Sequence, residues 1–156
     1  DSLMARLDRL GPVREVAQLG ATLGREFSYQ LLQTISPLDN AALEKSLAHL
    51  VEAELLYQQG QPPQAVYTFK HALVQDAAYR SLLRRKRQEY HQQIAQVLSG
   101  QFPEPGQTEP ELLAHHYTAA GLTPQAIRYW QQAGQQAIEQ SANLEAIPSV
   151  VWRRSG

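Results

Sequence analysis

Val13, Val16, Ala17, Gly20 and Leu23 follow the i, i+3, i+4, i+7 spacing of one helix face, which predicts a helix after Pro12. Gly20 on that face predicts close packing by a neighbouring helix. In "REFSYQLLQTIS", Ser28 can cap a second helix, Phe27 and Leu32 have hydrophobic-staple spacing, and Pro37 ends the element. Asp39 can cap a third helix with Leu43, Leu47, Leu50, Val51 and Leu55 on its apolar face.

The period then changes from helical to alternating. "LLYQQGQPPQAVYTFKH" holds two short β-like runs around a Gly/Pro turn, with Ala65, Tyr67 and Phe69 alternating with Val66, Thr68 and Lys70. Three helices followed by a two-stranded hairpin is the order of a winged-helix domain, here spanning residues 1–70. Residues 71–99 return to helix as a connector, with Ala78, Leu82 and Leu83 and then Tyr90, Ile94, Val97 and Leu98 expected inside. The Pro/Gly-rich stretch over 100–110 reads as a linker. "LLAHHYTAAGLTPQAIRYWQQA" has the helix–turn–helix rhythm and small–large spacing of a tetratricopeptide repeat: Leu113, Ala114, Tyr117, Gly121, Ala126, Trp130 and Ala133. Gly121 and Pro124 mark its turn, and Thr123 is placed to cap the second helix. The repeat start covers 111–147, "ANLEAI" begins another helix, and Pro148 is expected to stop it, leaving an atypical tail over 148–156. The predicted fold class is mainly α: a winged-helix-like unit, a helical connector and the start of a helical array.

Composition narrows the functions open to such a chain. Its 156 residues carry 14 Lys plus Arg against 15 Asp plus Glu, a net charge of −1, so any basic site must be local. The absence of cysteine excludes disulfides and thiolate metal sites. No apolar run reaches the roughly 20 residues that span a bilayer. The N-terminus has neither a signal peptide nor an initiator methionine, so the chain reads as a piece of a longer protein, and the lack of cysteine fits a reducing cytoplasm.

Catalytic signatures are missing. The three lysines follow Glu44, Phe69 and Arg85, so no P-loop exists to cradle phosphate. There is no nucleophile elbow, no dinucleotide fingerprint and no carboxylate pair at acid–base spacing. His115 and His116 are adjacent and point about 100° apart on a helix, which reads as surface or packing and not as a metal pair. His71 stands at the join of a strand and a helix, where unpaired backbone amides suit an anion. Arg84, Arg85, Lys86 and Arg87 form a cationic run that is either a solvated helix face or a docking surface for an acidic partner. Arg85 and Glu89 have the spacing of a surface ion pair, and Arg87 lies beside the apolar stripe near Tyr90 and His91.

"LDRLGPVREVAQLGATLGREFSYQLL", "FKHALVQDAAYRSLL" and "RQEYHQQIA" together resemble the segment that follows the ATPase core in bacterial signal-transduction ATPases of the STAND class, over about residues 1–147. Many members carry tetratricopeptide tails and effectors such as adenylate or guanylate cyclases, kinases or transcriptional regulators. In related nucleotide switches a Met-His-Asp signature opens a helix of the winged-helix domain, and its histidine touches the β-phosphate of ADP. The resemblance places His71 at that histidine, with Lys70 in place of the methionine and Ala72 in place of the aspartate. It also implies ATP or ADP as the cofactor of the full-length parent and none in this segment. The partners implied are an upstream ATPase domain and downstream repeats. The expected role is a non-catalytic regulatory relay. A DNA-binding winged helix using residues 39–56 is the rival, and a protein–protein interaction module is a second. The predicted recognition helix sets Lys45 against Asp39, Glu44, Glu52 and Glu54, which does not favour DNA.

Overall fold

The computed structural model describes residues 3–9, 11–100 and 108–155, with side chains over 5–9, 11–100 and 108–142. The protein is mainly helical with one small sheet. Its elements are α1 (Leu3–Asp8), α2 (Val13–Leu23), β1 (Glu26–Ser28), α3 (Tyr29–Ile35), α4 (Asn40–Glu52), β2 (Leu56–Gln59), β3 (Val66–Phe69), α5 (Ala72–Arg80), α6 (Arg84–Ser99), α7 (Pro110–Ala119) and α8 (Thr123–Ser155). Most of the predicted linker, residues 101–107, lies outside the described residues.

Local chemistry explains where the first helices start. The Ser28 side chain accepts from the Leu31 amide at 3.1 Å and opens α3. Asp39 accepts from the Ala42 amide at 2.7 Å and opens α4. Each cap satisfies an N–H that the helix leaves unpaired and is worth about 1 kcal/mol.

The hairpin carries the predicted alternation: Ala65, Tyr67 and Phe69 are buried while Val66 and Thr68 are half-buried. A third strand joins it. Phe27 pairs with Tyr67 and Ser28 with Val66, all antiparallel, giving the order β1-β3-β2. This strand has three residues, too few for an alternating pattern to show in sequence.

The core runs from α1 to α5 without a break, from Leu7 through Leu32, Leu47 and Phe69 to Val74 and Ala78. α2 is its centre. Eight of its residues are buried, including Gln18 and Thr22, because α4, α5, α6 and β1 all pack against it. Its polar pair is satisfied: Gln18 Nε2 donates to Ser81 Oγ at 2.8 Å, and Thr22 Oγ1 donates to the Gln18 carbonyl at 2.9 Å. The close approach expected at Gly20 is real, but its partner is the Phe27 ring of β1 rather than a helix. A Cβ at Gly20 would lie 2.7 Å from Phe27 Cζ.

The 71–99 segment divides into α5 and α6 at Ser81–Leu83. Leu82 is buried as expected, whereas Leu83 is 79% exposed, because it occupies the non-helical cap position of α6 and points away from the stripe. The buried stripe of α6 is His91, Ile94, Ala95 and Leu98, with Tyr90 and Val97 on its flank. A phase set by apolar residues alone is therefore rotated by about one position.

α7 and α8 form an antiparallel hairpin that packs on α6. Tyr117 is buried and stacks on Tyr129 with ring centroids 5.4 Å apart, and Ala126 closes the contact. Trp130 is 45% exposed; its Nε1 donates to Thr118 Oγ1 at 2.9 Å. Thr123 is the first residue of α8, and the Ala126 amide donates to the Leu122 carbonyl, so the helix begins one residue earlier than a Thr123 cap requires. α8 also continues through Pro148 to Ser155 as one helix, in place of the expected second helix, stop and atypical tail. A proline inside a helix removes one backbone donor at that turn.

Candidate functional site: a histidine cleft between four helices

α2, α5, α6 and α7 converge on an open cleft of about 670 Å³. α2 contributes Ala21, Thr22 and Leu23 to its wall, and α5 contributes residues from Ala72 to Tyr79. His91 of α6 and Leu112, His115 and His116 of α7 complete it.

A hydrogen-bonded chain runs along one side. The Tyr79 hydroxyl and His91 Nε2 are 2.8 Å apart, and His91 Nδ1 and His116 Nδ1 are 2.9 Å apart. Both histidines are 2% exposed. Burial pushes His91 down to about 4, with help from nearby His115 and Arg87, and pushes His116 down to about 3, with help from His91 and His115. Both rings are therefore neutral at pH 7. Two neutral rings meeting through Nδ1 must share one proton between those atoms, so one ring donates and the other accepts.

The tautomers then propagate. If His91 Nδ1 donates, His91 Nε2 accepts from Tyr79 and His116 carries its hydrogen on Nε2. If His116 Nδ1 donates, His91 Nε2–H donates to the Tyr79 oxygen and His116 Nε2 becomes an acceptor. Among the described residues, His116 Nε2 has no hydrogen-bond partner. Among the described residues, Arg87 Nε is the only fully buried side-chain polar atom without a partner. His116 itself lines the cleft.

His115 is exposed and stands edge-on to His91, with centroids 6.0 Å apart. Although the three imidazoles lie close together, no group of three His, Asp or Glu among the described residues is arranged to hold a metal. Of the adjacent pair read as surface or packing residues, His115 is at the surface, while His116 is buried and bonded.

His71 and the Arg84–Arg87 run, singled out from sequence, do not line this cleft and do not form one site. His71 is exposed at the cap position of α5, and its side chain makes no capping bond. Its neighbours Ala72 and Leu73 line the cleft mouth. Arg84, Arg85 and Lys86 are exposed in the first turn of α6. Glu89 pairs with Lys86 at 3.7 Å, an i, i+3 contact, instead of the expected Arg85. Lys86 also lies over the Tyr90 ring at 5.1 Å. Arg87 is half-buried, with its guanidinium 5.3 Å from the Tyr79 ring centre, so it backs the aromatic side of the cleft.

Nothing local in the sequence marks Tyr79, His91 and His116 as a unit. One signal was present: His91, Ile94, Ala95 and Leu98 have i, i+3, i+4, i+7 spacing, so a histidine occupies an apolar-stripe position. Its partner on α7 lies 25 residues away, beyond the reach of local pattern.

No family model and no solved structure matches this chain. Over 145 residues it is 30% identical to an uncharacterized protein of Rhizobium meliloti (strain 1021), a match that takes in 92% of this chain. The chain spans 14% of that relative's length, so the similarity is to one segment of a much longer protein.

Proposed function

We propose that this chain is a non-catalytic regulatory segment of a longer signalling ATPase: a winged-helix unit that meets an upstream nucleotide switch, followed by the first hairpin of a helical repeat array. The observation that carries the reading is the position of His71. It stands exposed one residue beyond the end of β3, with Lys70 between, at a helix start without a side-chain cap, where the Ala72 and Leu73 amides lack intrahelical acceptors at the positive end of the helix dipole. A phosphate presented by a neighbouring domain would meet both the imidazole and these amides.

The topology supports the winged-helix part. α2, α3 and α4 with the order β1-β3-β2 form a three-helix, three-strand unit in which the strand after the first of these helices pairs with the last strand of the hairpin. The exposed apolar residues of α8 support the array. Ile127, Trp130 and Ile138 are 51%, 45% and 65% exposed, a surface that a following repeat would bury. α6 supports docking. Its first turn carries four cations and no acid, against the helix dipole, at a cost of roughly 0.3–1 kcal/mol each at low salt. A face that spends stability this way suits an acidic surface on a partner.

DNA is disfavoured by α4. Its exposed charges are Glu44 and Glu52 against Lys45, with Asp39 at the cap, and the basic residues lie on another helix. Nucleotide would be bound and turned over by the upstream domain of the cytoplasmic parent, which would pass its state to an effector such as a nucleotide cyclase. Among the described residues no helix is long and apolar enough to cross a membrane. The test is His71→Ala in the full-length parent, read as ADP affinity and basal output. Weaker ADP binding with raised output is expected; unchanged ADP affinity would leave His71 a turn residue.

A further inference from the structure

We propose that the cleft between α2, α5, α6 and α7 binds a small uncharged organic molecule with an apolar body and one hydroxyl or amide head. This goes beyond the nucleotide relay and stands independently of it, because the site lies wholly within this chain.

The cleft has the composition of a ligand site rather than of a packing fault. Its volume of about 670 Å³ lies within the roughly 300–1,000 Å³ usual for small-molecule pockets. Its mouth holds two leucines left open to water, Leu73 at 70% and Leu112 at 41% exposure. Exposed apolar side chains converging on a cleft mark a surface that gains by being covered. A built polar group lines the cleft: His116, 2% exposed, with Nδ1 held by His91 and Nε2 without a partner among the described residues. An unpaired nitrogen on a ring so little exposed to water leaves a hydrogen bond unmade, and a ligand head can complete it.

The charge balance selects the head. The carboxylate of Asp76 is already engaged, accepting from Arg80 Nε at 2.9 Å. His91 and His116 are neutral, and the Arg87 guanidinium packs on the Tyr79 ring. A charged head would lose its hydration without a free counter-charge beside it. A hydroxyl or primary amide can accept from His116 Nε2–H in one tautomer and donate to the bare nitrogen in the other. The Tyr79–His91–His116 chain would follow by moving its protons in step. Ligand and hairpin are then coupled, because His116 belongs to α7 while Tyr79 and His91 belong to α5 and α6.

The experiment is titration of the 156-residue chain with benzyl alcohol, benzoate and benzylammonium, followed by NMR of histidine ring and leucine methyl signals. One benzene ring with three heads separates charge from shape. Benzyl alcohol should give saturable shifts at His116, His91 and Leu112 with a dissociation constant on the order of 1 mM, as fits so small a probe. Leu112→Trp, which fills the mouth and leaves the histidine chain untouched, should weaken binding at least about tenfold. His116→Phe should remove the preference for benzyl alcohol over the two ions. The proposal is overturned if benzyl alcohol gives no saturable shift, if Leu112→Trp binds as well as the parent chain, or if benzoate or benzylammonium binds as tightly as the alcohol.

Discussion

His91 and His116 meet Nδ1 to Nδ1 at 2.9 Å, from different helices, with the Tyr79 hydroxyl 2.8 Å from the other nitrogen of His91. This contact ties α7 to α6 and α5. It works only while both rings are neutral, since a second proton would place two donors face to face.

Acid should therefore loosen this junction. Both histidines titrate below their ordinary 6.5 in the folded chain, His91 at about 4 and His116 at about 3, with burial as the largest cause. Between pH 6.5 and 4 the unfolded chain binds protons that the folded chain refuses, so stability falls as pH falls across that window. Each histidine contributes a slope of up to about 1.4 kcal/mol per pH unit. Urea midpoints at pH 7, 6 and 5 for the parent chain and for His91→Gln/His116→Gln should show the steeper acid loss in the parent. Equal slopes would mean that the pair is not held neutral by folding.

Gly20→Ala should destabilise the chain although alanine is the better helix former. The new methyl meets Phe27 at 2.7 Å, and Phe27 is hemmed in by Tyr67 and Phe69 with ring centroids 5.8 and 5.9 Å away. Overpacking costs about 1–3 kcal/mol against a propensity gain of about 1 kcal/mol. A lowered Tm by calorimetry is expected; a raised Tm would show that Phe27 yields freely.

The four cations of α6 should separate in a stability scan. Arg84→Ala, Arg85→Ala and Lys86→Ala remove exposed side chains that oppose the helix dipole and should each leave stability unchanged or raise it by up to about 1 kcal/mol at low salt. Arg87→Ala strips a half-buried stem and a guanidinium from the face of Tyr79, a contact worth about 0.5–2 kcal/mol. Its buried Nε has no partner, which offsets part of the loss. Denaturant midpoints in which Arg87→Ala is no worse than the other three would contradict this packing role.

Local rules read well where the chemistry is local. The Ser28 and Asp39 caps, the alternation at Ala65, Tyr67 and Phe69, and the α7–α8 hairpin with Tyr117 inside all follow from neighbours in the chain. Long-range packing decided the rest. β1 is a strand because β3 lies beside it. Gln18 and Thr22 are buried because several helices pack against α2, and their hydrogen bonds make that tolerable. His91 sits inside because His116 and Tyr79 satisfy it, which no periodicity can announce.

The central claim is that this segment reads the nucleotide state of an adjoining domain through the start of α5. Hydrogen–deuterium exchange of the full-length parent, loaded with ADP or with a non-hydrolysable ATP analogue, tests it most directly. The amides of Ala72 and Leu73 lack intrahelical acceptors, and the exposed His71 precedes them, so a phosphate contact should register there first. Slower exchange over residues 71–75 with ADP than with the analogue is predicted, and His71→Ala should abolish the difference. Equal exchange in the two states would contradict the account.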